Sequence, residues 1–262
     1  MHEAEKSLQD RETSTQGAVE TKHQLDESAA QLFPQHTRPN LPLHILEQHE
    51  MISLDDQELE AAERTLRNKK CTGPDGLRSS VFNRIAELVP ELIRDIARMS
   101  YATNHIPDYC TQTKGTLIPQ KIPGKYRVVH VATPMAAYLE IIALSRLEHA
   151  LETKGLGDQH QLGFTRFKGR HDLLATIVAS IAHHRVHVKG NFADKATAAH
   201  NQTTIVSLDV AGAFDNVDQA SIIMKMYEEL GTDPIKHWIK SFMLNRIIRI
   251  KYRDLISISL GV

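Results

Sequence analysis

The sequence predicts an α+β chain preceded by a polar, acidic segment, and three observations carry that prediction. Apolar residues recur at helical spacing in several stretches from Leu59 onward. Short runs of β-branched and apolar residues, bounded by Gly, Pro, Asn or Asp, stand between those stretches. The charge also changes along the chain. Residues 1–60 hold 13 acidic against 4 basic side chains, leaving 19 against 27 in residues 61–262, so a global charge of −1 hides parts of −9 and +8. The basic part suits a phosphate-rich partner, although a solvated mixed surface accounts for that charge equally well.

The 262 residues, 41% of them hydrophobic, allow one large domain or two small ones with a sizeable core. Two cysteines, Cys71 and Cys110, give no disulfide framework, and the start Met1 to Glu12 lacks the apolar centre of a signal peptide. No apolar run reaches the roughly 18 residues a membrane span needs. A soluble, intracellular protein of the nucleus or cytoplasm, without a membrane partner, is expected.

Residues 1–45 are rich in Glu, Gln, Ser, Thr and His, with breakers at Phe33-Pro34 and Pro39 to Pro42, and read as a flexible, disordered acidic linker ahead of a folded part over 46–262. Ser53-Leu54-Asp55-Asp56 supplies a helix start, and Leu59, Ala62 and Leu66 continue it as an apolar stripe. Gly73-Pro74-Asp75-Gly76 has Pro second and Gly fourth, as in a type I turn. A helical stretch from Ser79 to Ala102, broken near Pro90, turns Val81, Ile85 and Leu88 and then Ile93, Ile96 and Ala97 inward. Thr116 to Ile118 and Tyr126 to Val131 predict antiparallel strands joined through Pro123-Gly124. That hairpin gathers Lys121, Lys125 and Arg127, which either grip phosphate or decorate a solvated tip.

Ala136, Leu139, Ala143, Leu147 and Ala150 mark a further helix, and Leu174, Ile177, Val178 and Ile181 another. His183 and His187 lie one turn apart beside His184, but no third ligand or base accompanies them, so a solvated helix end fits better than zinc. Thr203 to Val210 reads as a strand with Ile205, Ser207 and Asp209 on one face and Val206, Leu208 and Val210 on the other. Asp218 and Asp233-Pro234 start two more helices, with Ile222, Met226, Leu230, Ile235, Trp238, Ile239 and Phe242 facing inward. Ile247 to Tyr252 and Leu255 to Val262, parted by Arg253-Asp254, are two β arms, and the second ends on open apolar alternation.

Asp209 is the residue with the most chemistry in prospect. A carboxylate at a strand end, beside the tight turn of Ala211-Gly212, can bind a divalent cation that also holds phosphate oxygens, as two-metal phosphoryl transfer requires. A bare strand-end Asp also serves as a turn cap.

The surrounding motif, Asp209-x-x-x-Ala213-Phe214-Asp215, resembles the first carboxylate motif of reverse transcriptases of non-LTR (LINE-like) retrotransposons. Lys69 to Gly76 is similar to that family's Gly-Pro-Asp-Gly fingers motif. Ile118 to Arg127 is similar to its Ile-Pro-Lys-x-Gly-Lys…Tyr-Arg-Pro block, although Gln120 stands for Lys and Val128 for Pro. Gln161-Leu162-Gly163-Phe164 with Gly169-Arg170 resembles the next block, lengthened by Thr165 to Lys168, and Gly261-Val262 resembles the start of Gly-Val-Pro-Gln-Gly. Five fragments in the family's order make chance agreement improbable.

The resemblance implies the fingers and first palm motif of a right-hand polymerase, with a Tyr-x-Asp-Asp pair expected beyond Val262. It implies RNA-directed DNA synthesis on an RNA template and DNA primer, with Mg²⁺ held by Asp209 and the Val210 carbonyl together with the later carboxylates. Deoxynucleoside triphosphates would meet Lys121, Lys125, Arg127 and the backbone of Ala211, Gly212, Ala213 and Phe214, and the Phe214 ring would exclude ribonucleotides unless it is ordinary core. Lys69, Lys70 and Arg170 would contact nucleic acid. The chain is then expected to be a fragment that is inactive alone; a non-catalytic, nucleic-acid-binding remnant of a degenerate retroelement is the rival, and a relative of group II intron maturases a third reading.

Overall fold

The computed structural model describes residues 23, 25–27, 40–47, 50–66, 72–119, 126–158, 160–187, 204–210, 213, 217–252 and 255–261. The chain is α+β and divides into two compact units. One comprises residues 1–150 and 214–262, the other residues 151–213.

The larger unit opens with the short helix α1 (Leu43–Glu47) and then α2 (Asp56–Thr65). Asp55, within the predicted start Ser53 to Asp56, is the N-cap of α2: its carboxylate accepts from the Glu58 amide at 2.8 Å while Glu58 accepts from the Asp55 amide at 3.2 Å. This reciprocal arrangement satisfies two amide donors that a helix start leaves open. Leu59, Ala62 and Leu66 are buried, as their spacing predicts. Pro90 divides the next helical stretch into α3 (Ser79–Leu88) and α4 (Pro90–Thr103), since proline fits the first turn of a helix and not its interior. Asn104 ends α4 in the left-handed conformation at φ 50°, and its side-chain amide donates to the Glu50 carbonyl at 2.6 Å.

A single turn, α5 (Asp108–Thr111), leads into the antiparallel hairpin of β1 (Gln112–Pro119) and β2 (Tyr126–Ala132), followed by the long α6 (Pro134–Thr153). In the second unit, α7 spans Arg170–His187. The larger unit resumes with α8 (Gln219–Leu230) and α9 (Ile235–Leu244), then the antiparallel pair β3 (Ile247–Tyr252) and β4 (Leu255–Gly261). The sheet order is β2-β1-β3-β4, with β1 and β3 parallel.

The sheet has a dry face and a wet one. Thr113, Leu117, Ile248 and Ile250 are buried, and Gly115 lies among them. A Cβ on Gly115 would come within 3.0 Å of Val128 and 3.4 Å of Ile248, so the inner face has no room for a side chain there. On the opposite face Lys114, Thr116, Ile118, Arg127, Val129, Arg249 and Lys251 are partly or fully exposed.

Two arginines clamp α2 to its neighbours. Arg146 on α6 grips Glu58 through two bonds of 2.7 Å and donates to the Ser53 carbonyl at 2.6 Å. Arg94 on α4 binds Glu63 at 2.9 and 3.1 Å. Paired forks of this kind fix geometry as well as contributing energy. In the core, the Tyr101 hydroxyl donates to the Leu139 carbonyl at 2.8 Å, and burial raises its pKa well above the usual phenol range.

Several inward faces differ from the periodicity. On α3, Phe82 is buried while Val81 and Leu88 are exposed; on α8, Ile223 is buried and Ile222 is exposed. The apolar stripe is wide enough to tolerate a rotation of one residue, and packing partners choose among its members. Leu41 and Ile45 pack with Ile223 in one cluster, and Leu25 is fully buried, so described residues of the segment 1–45 belong to packed structure.

In the smaller unit, Leu174 and Val178 on α7 are 58% and 63% exposed, where their spacing predicts burial. A stripe of apolar residues gives a helix the capacity to pack; burial also needs a covering surface, and the described residues of this unit provide none.

Candidate functional site

Asp209 sits in a segment that the sequence predicts as a strand, and the structure corrects that expectation. Residues 204–210 form no strand and every one of them is exposed, Val206 at 74% and Leu208 at 90%. β-Branched composition expresses a fit to a pleated, partly buried surface, and among the described residues no strand pairs with this segment to create one. The Asp209 carboxylate and the neighbouring Val210 are accordingly accessible to solvent.

The donors available at this position, a carboxylate and a backbone carbonyl, are the hard oxygens that Mg²⁺ prefers. Among the described residues no three His, Cys, Asp or Glu side chains gather closely enough to hold a metal ion. His183 is exposed on α7. Ala213 is exposed, whereas Ala211, Gly212, Phe214 and Asp215 lie outside the described residues.

Of the hairpin cations, Arg127 is described and exposed. It stands opposite Ile118 on the wet face of the sheet. Lys121 and Lys125 lie outside the described residues, as do Lys69 and Lys70. Arg170 is the exposed first residue of α7.

The Gly73 to Gly76 motif is a hydrogen-bonded turn, with the Gly76 amide donating to the Gly73 carbonyl at 3.2 Å and the Leu77 amide to the Asp75 carboxylate at 3.1 Å. Gly73 is buried, and a Cβ there would lie 2.7 Å from the Ala132 carbonyl oxygen and 2.9 Å from the Thr133 nitrogen. Thr133 in turn caps α6 by accepting from the Ala136 amide at 3.2 Å. The turn therefore rests on the joint between β2, which carries Arg127, and α6. Cys110 is buried beside this joint, and burial pushes its thiol up to about 11.

Sequence reasoning passed over three further cations. Lys114, Arg249 and Lys251 share the wet face of the sheet with Arg127, because Lys114 pairs with Arg249 and Thr116 with Lys251 in the parallel ladder. The alternation Arg249-x-Lys251 in a β run was the available signal; the neighbour relation to Lys114 comes from pairing across the chain.

The fold and its accessible groups define an α+β chain with a basic sheet face and an exposed carboxylate on a separate unit. No protein-family model matches it. The chain is similar to the Retrovirus-related Pol polyprotein from type-1 retrotransposable element R2 of Popillia japonica, 27% identical over 165 residues, which is 62% of this chain. The matched region spans 20% of that protein's length. This similarity supports a retrotransposon-related chain. No described helix is long and apolar enough to cross a membrane.

Proposed function

We propose that this chain is the fingers and first palm segment of a non-LTR retrotransposon reverse transcriptase, an RNA-directed DNA polymerase. The similarity to a retrotransposon Pol polyprotein carries the reading. It agrees with the order of the motifs at Gly73, Ile118, Gln161, Asp209 and Gly261.

In this reading an RNA template and DNA primer are the partners, with deoxynucleoside triphosphates as substrates. The primer 3′-OH attacks the α-phosphate of the incoming nucleotide, and pyrophosphate leaves. Asp209 and the Val210 carbonyl would hold Mg²⁺ together with carboxylates from elsewhere in the polymerase. When bound, such an ion would supply charge neutralisation for phosphoryl transfer. Arg127 neutralises triphosphate oxygens, with Lys121 or Lys125 beside it. The amides of Ala211 to Phe214 receive the same phosphates, and the Phe214 ring takes the space of a 2′-OH. Lys69, Lys70 and Arg170 contact the nucleic-acid backbone.

Residues 1–262 by themselves are expected to extend no primer, because one carboxylate and one carbonyl hold two metal ions poorly. A Pol protein that carries this segment with the remaining carboxylates is expected to copy RNA into DNA. There Asp209→Asn should lower primer extension at least about a hundredfold while leaving the thermal melt unchanged. Near-wild-type extension by that variant would remove Asp209 from the metal site.

A further inference from the structure

Three basic side chains are buried in one stretch of α9: Lys236, His237 and Lys240 are 6%, 3% and 5% exposed. Among the described residues no other lysine or arginine is buried. All three gather around one phenol on α8. His237 Nδ1 lies 2.9 Å from the Tyr227 hydroxyl, and the Lys236 and Lys240 ammoniums stand 5.1 and 5.9 Å from the centre of the Tyr227 ring. Lys240 also donates to the Ile45 carbonyl at 2.8 Å, which ties α1 to α9.

These contacts leave Lys236 incompletely satisfied. An ammonium carries three donors, and Lys236 gives one to the Gly231 carbonyl just past the end of α8 while its charge faces the Tyr227 ring. Among the described residues no carboxylate pairs with it. A charge withdrawn from water is costly unless an opposite charge or further acceptors accompany it. The same side chain lines a cavity of about 430 Å³, within the roughly 300–1,000 Å³ of small-molecule sites, so there is room for such a partner. The walls select its chemistry. Pro42, Ile45 and Met224 offer apolar surface, and the exposed Glu228 borders the same space. A multiply charged anion would meet Glu228 with only one lining ammonium to offset the repulsion, whereas a monoanion with an apolar body matches both Lys236 and the walls.

We infer that the cavity between α1, α8 and α9 binds a small monocarboxylate with an apolar body, its carboxylate on the Lys236 ammonium and its hydrocarbon against Pro42, Ile45 and Met224. None of these residues belongs to the polymerase motifs, so the site goes beyond that reading and stands or falls separately from it.

Isothermal titration calorimetry of residues 1–262 with octanoate tests the site, with octanol and octyl phosphate as probes of the same chain length. Octanoate should bind saturably to one site and raise the melting temperature. Octanol, which has no charge, and octyl phosphate, which carries about two negative charges at neutral pH, should each bind at least about tenfold more weakly. Lys236→Met keeps the length of the side chain and removes its charge; octanoate affinity should fall at least about tenfold and the thermal shift should vanish. Met224→Trp fills the cavity and leaves Lys236 with its Gly231 bond; since Met224 is 41% exposed, this variant should fold and also lose octanoate. Lys225→Gln, which removes an exposed cation from the same helix as Met224, should bind octanoate like the wild type. Absence of saturable octanoate binding, equal or tighter binding of octanol or octyl phosphate, or wild-type octanoate affinity in either Lys236→Met or Met224→Trp would overturn the assignment.

Discussion

Trp238 lies flat against Tyr101, with ring centroids 4.7 Å apart and planes within 1° of parallel. The indole Nε1 also donates to the Ser100 hydroxyl at 3.1 Å, and Phe242 stacks on Trp238 with centroids 5.4 Å apart. These contacts join α9 to α4, so the two sequence-distant parts of the larger unit close on an aromatic stack.

Trp238→Ala is expected to cost about 3–5 kcal/mol, the range for removing a large buried aromatic, and Trp238→Phe about 1–2 kcal/mol through the lost hydrogen bond and a smaller ring. Urea denaturation of both variants measures this. Losses below about 1 kcal/mol for the alanine variant would mean that Trp238 is a surface group and that the stack does not hold the unit together.

Gly73 and Gly76 belong to one turn but serve different needs. Gly73 touches the Ala132–Thr133 backbone, whereas Gly76 has a φ of +72° and open space around its missing Cβ. Ala at either position should destabilise by about 1–3 kcal/mol, through overpacking at Gly73 and through the left-handed backbone at Gly76. Asn tolerates the left-handed region, so Gly76→Asn should recover part of that loss and Gly73→Asn none. Thermal melting of the four variants reads the difference, and equal behaviour of the two Asn variants would refute the close approach at Gly73.

Cys110 gives a pH dependence whose sign is fixed. Its folded-state pKa of about 11 exceeds the ordinary value of 9.0, so its contribution is fully present below pH 9 and is lost as pH rises to about 11. The effect is roughly 2–3 kcal/mol. In a Cys71→Ser background, the denaturation midpoint should fall more steeply across this window with Cys110 present than in Cys110→Ala. Parallel slopes would show that the thiol is not desolvated in the native state.

Phe214, proposed to take the space of a 2′-OH, acts on substrate choice more than on rate. In the longer Pol protein, Phe214→Val should lower the preference for deoxynucleotides over ribonucleotides by about 1–3 kcal/mol, tenfold or more in the ratio of specificities, while sparing much of the deoxynucleotide rate. An unchanged ratio, or equal loss of both activities with a lower melting temperature, would make Phe214 an ordinary packing residue.

The sequence by itself determined the features whose causes are local. The helix start near Ser53 to Asp56, the helix break at Pro90, the Gly73 to Gly76 turn, the β1/β2 hairpin and the β3/β4 arms each depend on residues a few positions apart, so composition and spacing were enough to read them. Tertiary structure alone decided which residue of an apolar stripe is buried, as with Phe82 over Val81 and Ile223 over Ile222, because only a packing partner selects among adjacent apolar positions. It also decided that 204–210 forms no strand with any described residue despite its β-branched run, since a strand takes its stability from a neighbour and not from its own propensity. The parallel pairing of β1 with β3 is the clearest case. Periodicity sets which face a residue occupies, but only the long-range register placed Lys114 beside Arg249 and turned scattered cations into one surface.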